Sequence, residues 1–448
     1  MSAPRFDLVV RGGHCVLPWG VEQTDLGIRD GRIEAFGDLG GAMAVSELDA
    51  RHLHVLPGVI DSQVHFREPG LEHKEDLQTG TAAAALGGVT TVLEMPNTSP
   101  PTTTAAAFAD KVARAQGRAW VDIGFFIGAS AENVAELGAL ERMPGCAGVK
   151  VFMGSSTGSL LVADDATLLR VFEAGRRRVA IHAEDEARLK ERASLATPGV
   201  PAMHPAWRDE LSALIATTRC LRAACETRRR VHVLHVTTAE EASLLAQHRD
   251  LASVEVTPQH LTLVAPAAYE RLGTRAQMNP PIRDARHQAA LWRALRAGLV
   301  DVVASDHAPH TLHEKASQYP KSPSGMPGVQ TLLPVMLTHV HQQRLSLQRL
   351  VELIAAGPAR VYGIAKKGRL AWGMDADLTL VDLARRVRLS DDMMASKCGW
   401  TPFAGDEMTG WPVATVVRGK LVMREGDLFN APSGNLVTFE EGAEPLGA

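Results

Sequence analysis

The sequence predicts an α/β fold, a (β/α)8 TIM-like barrel accompanied by a small β-sandwich domain that is built from both chain ends. Two observations lead to this prediction. Short runs rich in β-branched residues recur along the middle of the chain and alternate with Ala/Leu-rich, charged segments. The two ends of the chain instead show short strand-like runs joined by turns that contain glycine.

The β-branched runs between residues 54 and 310 account for the predicted barrel strands. The segments between them, such as 103–116 and 206–228, have the composition of helices that cover a parallel sheet. Eight strand and helix units favour a closed barrel over an open sheet. The eight runs are 54–66, 88–97, 120–130, 147–154, 178–185, 230–238, 252–261 and 299–310.

The strand-like flanks give the remaining domain division. Residues 1–54 and 366–430 are predicted to form the two parts of the β-sandwich domain, and residues 55–365 the barrel. Residues 431–448 form a tail that is acidic and rich in small residues, so we expect it to be mobile.

Composition narrows the classes of partner. The formal net charge of −4 and the pI near 6.5 argue against binding to nucleic acid or to an anionic membrane. The five cysteines are scattered and form no CxxC pair, which argues against a disulfide framework and a cysteine zinc site. Neither a signal peptide nor a long apolar run is visible. We therefore expect a cytoplasmic protein that acts on a small molecule.

Reactive side chains occur at the carboxyl ends of the predicted strands, where barrels of this kind hold their catalytic groups. A single histidine at such a place is often structural, but several imidazoles with a carboxylate and a lysine are difficult to explain in that way. Imidazole and carboxylate groups are zinc ligands, and a hydrolytic centre leaves one position open for water. The sequence therefore predicts a divalent-metal hydrolase. The residues are His65, Asn97, Lys150, His182, His235 and Asp306.

Lys150 lies in the apolar run "GVKVFMG". Burial of an ammonium group is costly, and desolvation lowers the lysine pKa towards a neutral amine. Such an amine can react with carbon dioxide to form a carbamate, whose two oxygens are able to bridge two metal ions. The structural alternative is a lysine whose stem crosses the strand while its ammonium group reaches a carboxylate.

Seven ordered motifs make the chain similar to the amidohydrolase superfamily and, within it, to the dihydroorotases. The resemblance implies a zinc centre with one or two ions per chain and a bridging N6-carboxylysine at Lys150. It implies that His65 and Asp306 hold one ion, that His182 and His235 hold the other, and that Asp306 is the catalytic proton shuttle. The motifs are "DSQVHFREPG", "EMPNT", "GVKVFMGSSTG", "IHAEDE", "VLHVTTAEE", "MNPPIR" and "ASDHAPHT".

The same resemblance extends to the substrate. The planar guanidinium of Arg67 suits a carboxylate, and Asn97 and His310 can add donors. In dihydroorotases the matching positions grip the substrate carboxylate, whereas hydantoinases, which take uncharged rings, are expected to lack this trio. The structural alternative for Arg67 is a surface ion pair with Glu68 or Glu72. Residues at positions implied to contact the pyrimidine ring are Asn279, Ser324 and Gly325.

The resemblance implies reversible cyclisation of N-carbamoyl-L-aspartate to L-dihydroorotate in pyrimidine biosynthesis. Two alternatives stay open. One is an allantoinase or hydantoinase activity on another cyclic ureide. The other is a dihydroorotase-like protein without catalysis that acts as a partner of aspartate carbamoyltransferase. An association with that enzyme and a homo-oligomer are both compatible with the sequence.

Gln63 departs from the family pattern. Related sequences usually read Asp-x-His-x-His here, whereas this chain has Asp61, Gln63 and His65. An amide oxygen is a weak, neutral zinc ligand compared with imidazole. Three outcomes are open: Gln63 ligates a metal through its oxygen, it yields to a water, or the centre holds one zinc at the His182 and His235 position.

Overall fold

The computed structural model describes residues 5–156 and 160–440, and its strands form an eight-stranded parallel sheet and a nine-stranded mixed sheet. The outer parts of the predicted ranges, residues 1–4 and 441–448, lie outside the described residues, as does the end of the "GVKVFMGSSTG" motif. The strands are β1 (Arg5–Leu17), β2 (Gly20–Arg29), β3 (Arg32–Gly37), β4 (Met43–Asp49), β5 (His54–Pro57), β6 (Val59–Val64), β7 (Val89–Glu94), β8 (Asp122–Gly128), β9 (Cys146–Phe152), β10 (Val179–His182), β11 (Val231–Val233), β12 (Ala252–Val256), β13 (Val302–Val303), β14 (Leu378–Arg388), β15 (Glu407–Val417), β16 (Lys420–Arg424) and β17 (Asp427–Leu428).

The parallel sheet runs from β6 to β13 in chain order. Its two edges meet just beyond the last strand, where Val64 forms a parallel bridge with His307 and the backbone N–H of His65 donates to the His307 carbonyl at 2.8 Å. The sheet is thus a nearly closed eight-stranded barrel, which confirms the predicted fold class. Closure brings the end of the first strand beside the end of the last one, so His65 and Asp306 become neighbours.

Helices cover the outside of this barrel and connect its strands. Several begin with a side-chain cap in the short turn that follows a strand. At α8 the Oγ1 of Thr238 accepts the N–H of Glu241 at 3.0 Å, while Oε2 of Glu241 accepts the N–H of Thr238 at 3.1 Å. This capping box fixes the turn that follows His235. The helices are α1 (Leu77–Leu86), α2 (Ala105–Ala115), α3 (Leu137–Leu140), α4 (Asp165–Glu173), α5 (Glu186–Glu191), α6 (His204–Trp207), α7 (Glu210–Thr227), α8 (Ala239–Leu245), α9 (Pro258–Thr262), α10 (Ala267–Leu272), α11 (Ala285–Arg296), α12 (Leu312–Lys315), α13 (Leu332–His341), α14 (Leu347–Val351) and α15 (Gly357–Tyr362).

The mixed sheet joins the two ends of the chain. Strand β5 lies between β1 and β14, so the N-terminal strands and the C-terminal strands share one sheet. Its buried side chains, among them Leu26, Ile28, Leu378 and Val416, form a hydrophobic cluster separate from that of the barrel. No helix in the described part of the chain is long and apolar enough to cross a membrane.

The run predicted as the first barrel strand, residues 54–66, is two strands. Strand β5 pairs in the mixed sheet and β6 in the barrel, and Gly58 separates them. A Cβ atom at Gly58 would lie 2.2 Å from Oγ1 of Thr90, so only glycine allows the backbone to pass so closely there. The boundary between β5 and β6 could not be predicted from the sequence, because the residues on both sides of Gly58 are apolar.

The expectation of a mobile tail was wrong for its first part. The backbone N–H of Ile123 donates to the Asn435 carbonyl at 2.9 Å, and that of Val437 donates to the Ile123 carbonyl at 3.0 Å. Val437 and Phe439 are buried in one hydrophobic cluster with Phe126. These few apolar side chains hold the segment against β8, although its overall composition is typical of a mobile tail.

Candidate active site

One pocket at the carboxyl ends of the barrel strands collects nearly all the residues that the sequence indicated. The side chain of His310 lies beside the pocket, with Nε2 3.0 Å from the carbonyl oxygen of Ser324. Phe152, Ser156 and Ala308 complete the lining. The indicated residues that line the pocket are Gln63, His65, Arg67, Asn97, Lys150, His182, His235, Asn279, Asp306, Ser324 and Gly325.

His182 and His235 point their ring nitrogens at each other. Nδ1 of His182 lies 3.1 Å from Nε2 of His235. Two imidazole nitrogens on one tetrahedral zinc ion lie roughly 3.3 Å apart, given Zn–N bonds of about 2.0–2.1 Å. The pair therefore has the spacing of two ligands that share a metal.

A carboxylate sets the tautomer of His182. Nε2 of His182 lies 3.0 Å from Oε2 of Glu184, so the ring proton is on Nε2 and the lone pair of Nδ1 faces His235. Arg208 holds Glu184 in turn, with its Nε 3.1 Å from both carboxylate oxygens. The guanidinium and the His182 ring keep the pKa of the Glu184 carboxyl well below its usual range, although burial opposes them. The carboxylate therefore stays charged and fixes the imidazole.

Lys150 lies on β9, lines the same pocket and is 1% exposed. Its Nζ has no hydrogen-bond partner, and no carboxylate of the described residues lies within 4.0 Å of it. The alternative of a lysine paired with a carboxylate is therefore wrong for the described chain. Burial lowers the Lys150 pKa, against the attraction of Asp306 and Glu255. A buried, unpartnered amine with a lowered pKa fits a carbamate-forming lysine.

His65 contacts groups on both sides of its ring. Nδ1 of His65 donates to Oδ1 of Asn97 at 2.7 Å, which leaves the lone pair of Nε2 facing Oδ1 of Asp306 at 3.2 Å. The same Asp306 oxygen accepts a hydrogen bond from Nε2 of Gln63 at 2.9 Å. Burial raises the pKa of Asp306, and Lys150 opposes that shift. Two acceptors at this spacing require a proton or a cation between them.

Three of these residues have a backbone in the left-handed region. The φ angles are +65° for Arg67, +37° for His235 and +46° for Asp306. Each such residue other than glycine costs about 1–3 kcal/mol and persists only where the surrounding structure holds it. This backbone conformation directs the three side chains into the pocket at the points where the strands end.

Arg67 is 1% exposed, and no carboxylate of the described residues lies within 4.0 Å of it. Its Nε donates to the Pro309 carbonyl at 3.2 Å, while Nη1 has no partner in the part of the chain that the structure describes. Burial lowers its pKa to about 10. The predicted alternative of a surface ion pair was wrong, because Glu68 instead pairs with Arg118 at 2.7 Å. The guanidinium is therefore a buried cation without a carboxylate partner among residues 5–156 and 160–440.

His310 is held by groups that the sequence reasoning missed. Its Nε2 donates to the Ser324 carbonyl, and its Nδ1 lies 3.1 Å from Nζ of Lys74 and accepts from that ammonium group. Gly325 has a φ of +137°, and a Cβ there would lie 2.4 Å from the Ala308 carbonyl. Only glycine therefore lets the loop approach His310 this closely.

Four supporting residues were absent from the predicted site. Glu184 could have been found, because it follows His182 by two positions in "IHAEDE". Arg208, Lys74 and Lys315 gave no such signal. Nζ of the buried Lys315 donates to the carbonyls of Gln277, Pro323 and Gly325 at 3.0, 2.8 and 3.0 Å, and so fixes the loop at the edge of the pocket.

The donor atoms fit a metal ion at one end of the pocket. In the described chain no three His, Cys, Asp or Glu side chains converge on one point by themselves. Lys150, which lines the same pocket, would supply a third group beside His182 and His235 as a carbamate, and its orphaned Nζ is accounted for if it carries ligating oxygens.

Comparisons with known proteins show to which family the chain is related. The amidohydrolase family model matches residues 54–422. The chain is 36% identical to a dihydroorotase of Methanothermobacter thermautotrophicus over 91% of this chain and 92% of that protein. It is 37% identical to an allantoinase of Rubrobacter xylanophilus over 98% of both chains. The solved structure of the L-hydantoinase from Arthrobacter aurescens matches with a TM-score of 0.92 and 32% identity, over 97% of this chain and 100% of that one. The chain therefore belongs to the amidohydrolase family.

Proposed function

We propose that the protein is a dihydroorotase, which catalyses the reversible cyclisation of N-carbamoyl-L-aspartate to L-dihydroorotate. Arg67 carries this proposal: a fully buried guanidinium with an unpartnered Nη1 costs free energy unless a ligand brings an anion to it. Dihydroorotate and carbamoyl aspartate supply a carboxylate, whereas allantoin and hydantoin rings do not. The similarity to dihydroorotases over 91% of the chain supports the same choice.

The proposed centre is a divalent-metal site. His182, His235 and Lys150 would hold zinc, with Lys150 as N6-carboxylysine, and His65 and Asp306 form the second potential position. When bound, the metal would lower the pKa of a water molecule and polarise the ring amide carbonyl.

The side chains of the protein provide the other steps. Asp306 would accept the proton of the attacking water and pass it to the departing ring nitrogen, which requires a carboxyl whose pKa lies above its usual range. Arg67 would pair with the substrate carboxylate, with His310 and Asn97 beside it. Residues that would contact the ring are Asn279, Ser324 and Gly325.

Assays of dihydroorotate, allantoin, hydantoin and dihydrouracil side by side test this function. The zinc-loaded protein is expected to turn over dihydroorotate and to leave the neutral rings nearly untouched. Turnover of a neutral ring without turnover of dihydroorotate would contradict the proposal.

An allantoinase or hydantoinase is the second candidate, favoured by the 37% identity to the allantoinase and the TM-score of 0.92 to the L-hydantoinase. The four-substrate assay decides between the two. An association with aspartate carbamoyltransferase, a homo-oligomer and a cytoplasmic location stay predictions. Inert, metal-free protein that copurifies with a transcarbamoylase would instead favour the partner without catalysis.

A further inference from the structure

Gln63 lies on β6, two residues before His65, and the structure shows the orientation of its amide. Nε2 of Gln63 donates to Oδ1 of Asp306 at 2.9 Å, while Oε1 is buried and has no partner among the described residues. Rotation of the amide would bring Oε1 against Oδ1 and replace a hydrogen bond with the contact of two acceptors. The amide therefore presents its nitrogen, which is not a metal ligand, to Asp306.

The position between His65 and Asp306 is poor in zinc ligands for this reason. It offers one imidazole nitrogen and one carboxylate oxygen that are 3.2 Å apart, and that oxygen already accepts the Gln63 N–H. Zinc sites in proteins are built from imidazole, thiolate and carboxylate groups, whereas neutral amide oxygens suit harder ions. Among the described residues, no second imidazole, which would raise the affinity, lies at this point.

The position between His182 and His235 offers better zinc ligands than the position between His65 and Asp306. Two imidazole nitrogens lie 3.1 Å apart, and Glu184 fixes the ligating tautomer of His182. The buried Nζ of Lys150, which has no partner among the described residues, lines the pocket that both positions share. Carboxylate groups that orient a ligating histidine are a regular component of metal sites. The two ends of the pocket therefore differ strongly in their expected affinity for zinc.

We propose that this chain holds a single zinc ion, at His182, His235 and Lys150, and that Gln63 is a positioning residue that holds Asp306 where a second ion would otherwise do so. The inference rests on the metal centre of the proposed function. It selects one of the three outcomes that the sequence left open for Gln63, and it assigns the amide a role through its nitrogen.

The zinc content of the purified protein tests this inference. The wild-type protein, Q63H, H235N and Q78H are loaded with zinc and bicarbonate, passed through a desalting column and measured by inductively coupled plasma mass spectrometry. Gln78 is exposed on α1, so Q78H controls for zinc bound by an added surface histidine. We expect about one zinc per chain for wild type and Q78H, about two for Q63H and almost none for H235N.

Other results would overturn the inference. A wild-type value near two, or near zero, contradicts the single site, and a value of one in Q63H contradicts the role given to Gln63. If Q63H does not fold, electron paramagnetic resonance of the wild-type protein loaded with Co²⁺, a closer substitute for zinc, replaces it: isolated Co²⁺ supports the single site and an exchange-coupled pair overturns it. The count uses no substrate, so its failure is distinct from failure of the dihydroorotate assay.

Discussion

The Nε2 atom of His182 lies 3.0 Å from Oε2 of Glu184, and this contact decides which nitrogen of His182 faces the pocket. This hydrogen bond is made by the ring nitrogen of His182 that does not face His235. The carboxylate keeps the proton on Nε2, and the lone pair of Nδ1 is then available beside His235. Metal affinity at this position should therefore depend on Glu184 although it is not a ligand.

Replacement of Glu184 by Gln is expected to lower the zinc affinity by about 10- to 100-fold, because the neutral amide fixes the His182 tautomer less firmly. Competition with a chromogenic chelator measures the affinity directly. Glu191→Gln, an exposed position on the following helix, is the matched control and should leave it unchanged. Equal affinities in all three proteins would show that Glu184 has no such role.

The Arg67→Met variant tests the role of Arg67 in substrate binding separately from any role in the stability of the fold. Since the guanidinium is buried without a carboxylate partner in the described chain, its removal should leave the melting temperature of the substrate-free protein unchanged or raised. The kcat/KM for dihydroorotate should fall by about 30-fold or more, because the loss of one partner of a buried charge pair costs about 2–5 kcal/mol. Arg114→Met, whose side chain is 39% exposed, is the control. An unaltered kcat/KM would remove the argument for an acidic substrate.

The convergence of the strand ends could be predicted because six of the eight predicted barrel strands end in a distinctive residue. His65, Lys150 and Asp306 needed only the rule that carboxyl ends of parallel strands share one rim. The contact of Glu184 with Arg208 could not be found in this way, since Arg208 lies 24 residues further along and reaches the site through a loop whose path the pattern does not specify. The same holds for Lys74 beside His310, because an isolated lysine in a polar segment gives no sign that it is buried.

Lys315→Met tests whether the pocket loop needs its buried cation. The ammonium group joins the carbonyls of Gln277, Pro323 and Gly325, so its loss should release the loop that carries Ser324. We expect KM for dihydroorotate to rise by about 10- to 100-fold with a smaller change in kcat, as displacement of a positioning loop does. Lys321→Met, exposed in the same loop, should behave as wild type. A fall in kcat alone would point to a different role for Lys315.

Because His339 is buried, we expect the free energy of unfolding to fall in mild acid. It is buried on α13, its Nε2 lies 2.8 Å from Oγ1 of Thr262, and its ring packs edge-on against Trp292. Burial, with the nearby Arg344, lowers its pKa from 6.5 to about 4. Below about pH 6.5, the ordinary pKa of histidine, this side chain therefore binds a proton in the unfolded chain but not in the folded chain. Stability should fall as the pH drops through the window from about 6.5 to about 4.

The size of this effect follows from the same linkage. At about pH 5.5, this histidine alone should cost about 1 kcal/mol of unfolding free energy relative to about pH 7.5. Urea unfolding at the two pH values measures it in the wild-type protein and in His339→Asn, and the variant should lose about 1 kcal/mol less on acidification. His341→Asn, exposed on the same helix, should lose as much as wild type. The same loss in His339→Asn as in wild type would mean that His339 is protonated in the folded chain at about pH 5.5.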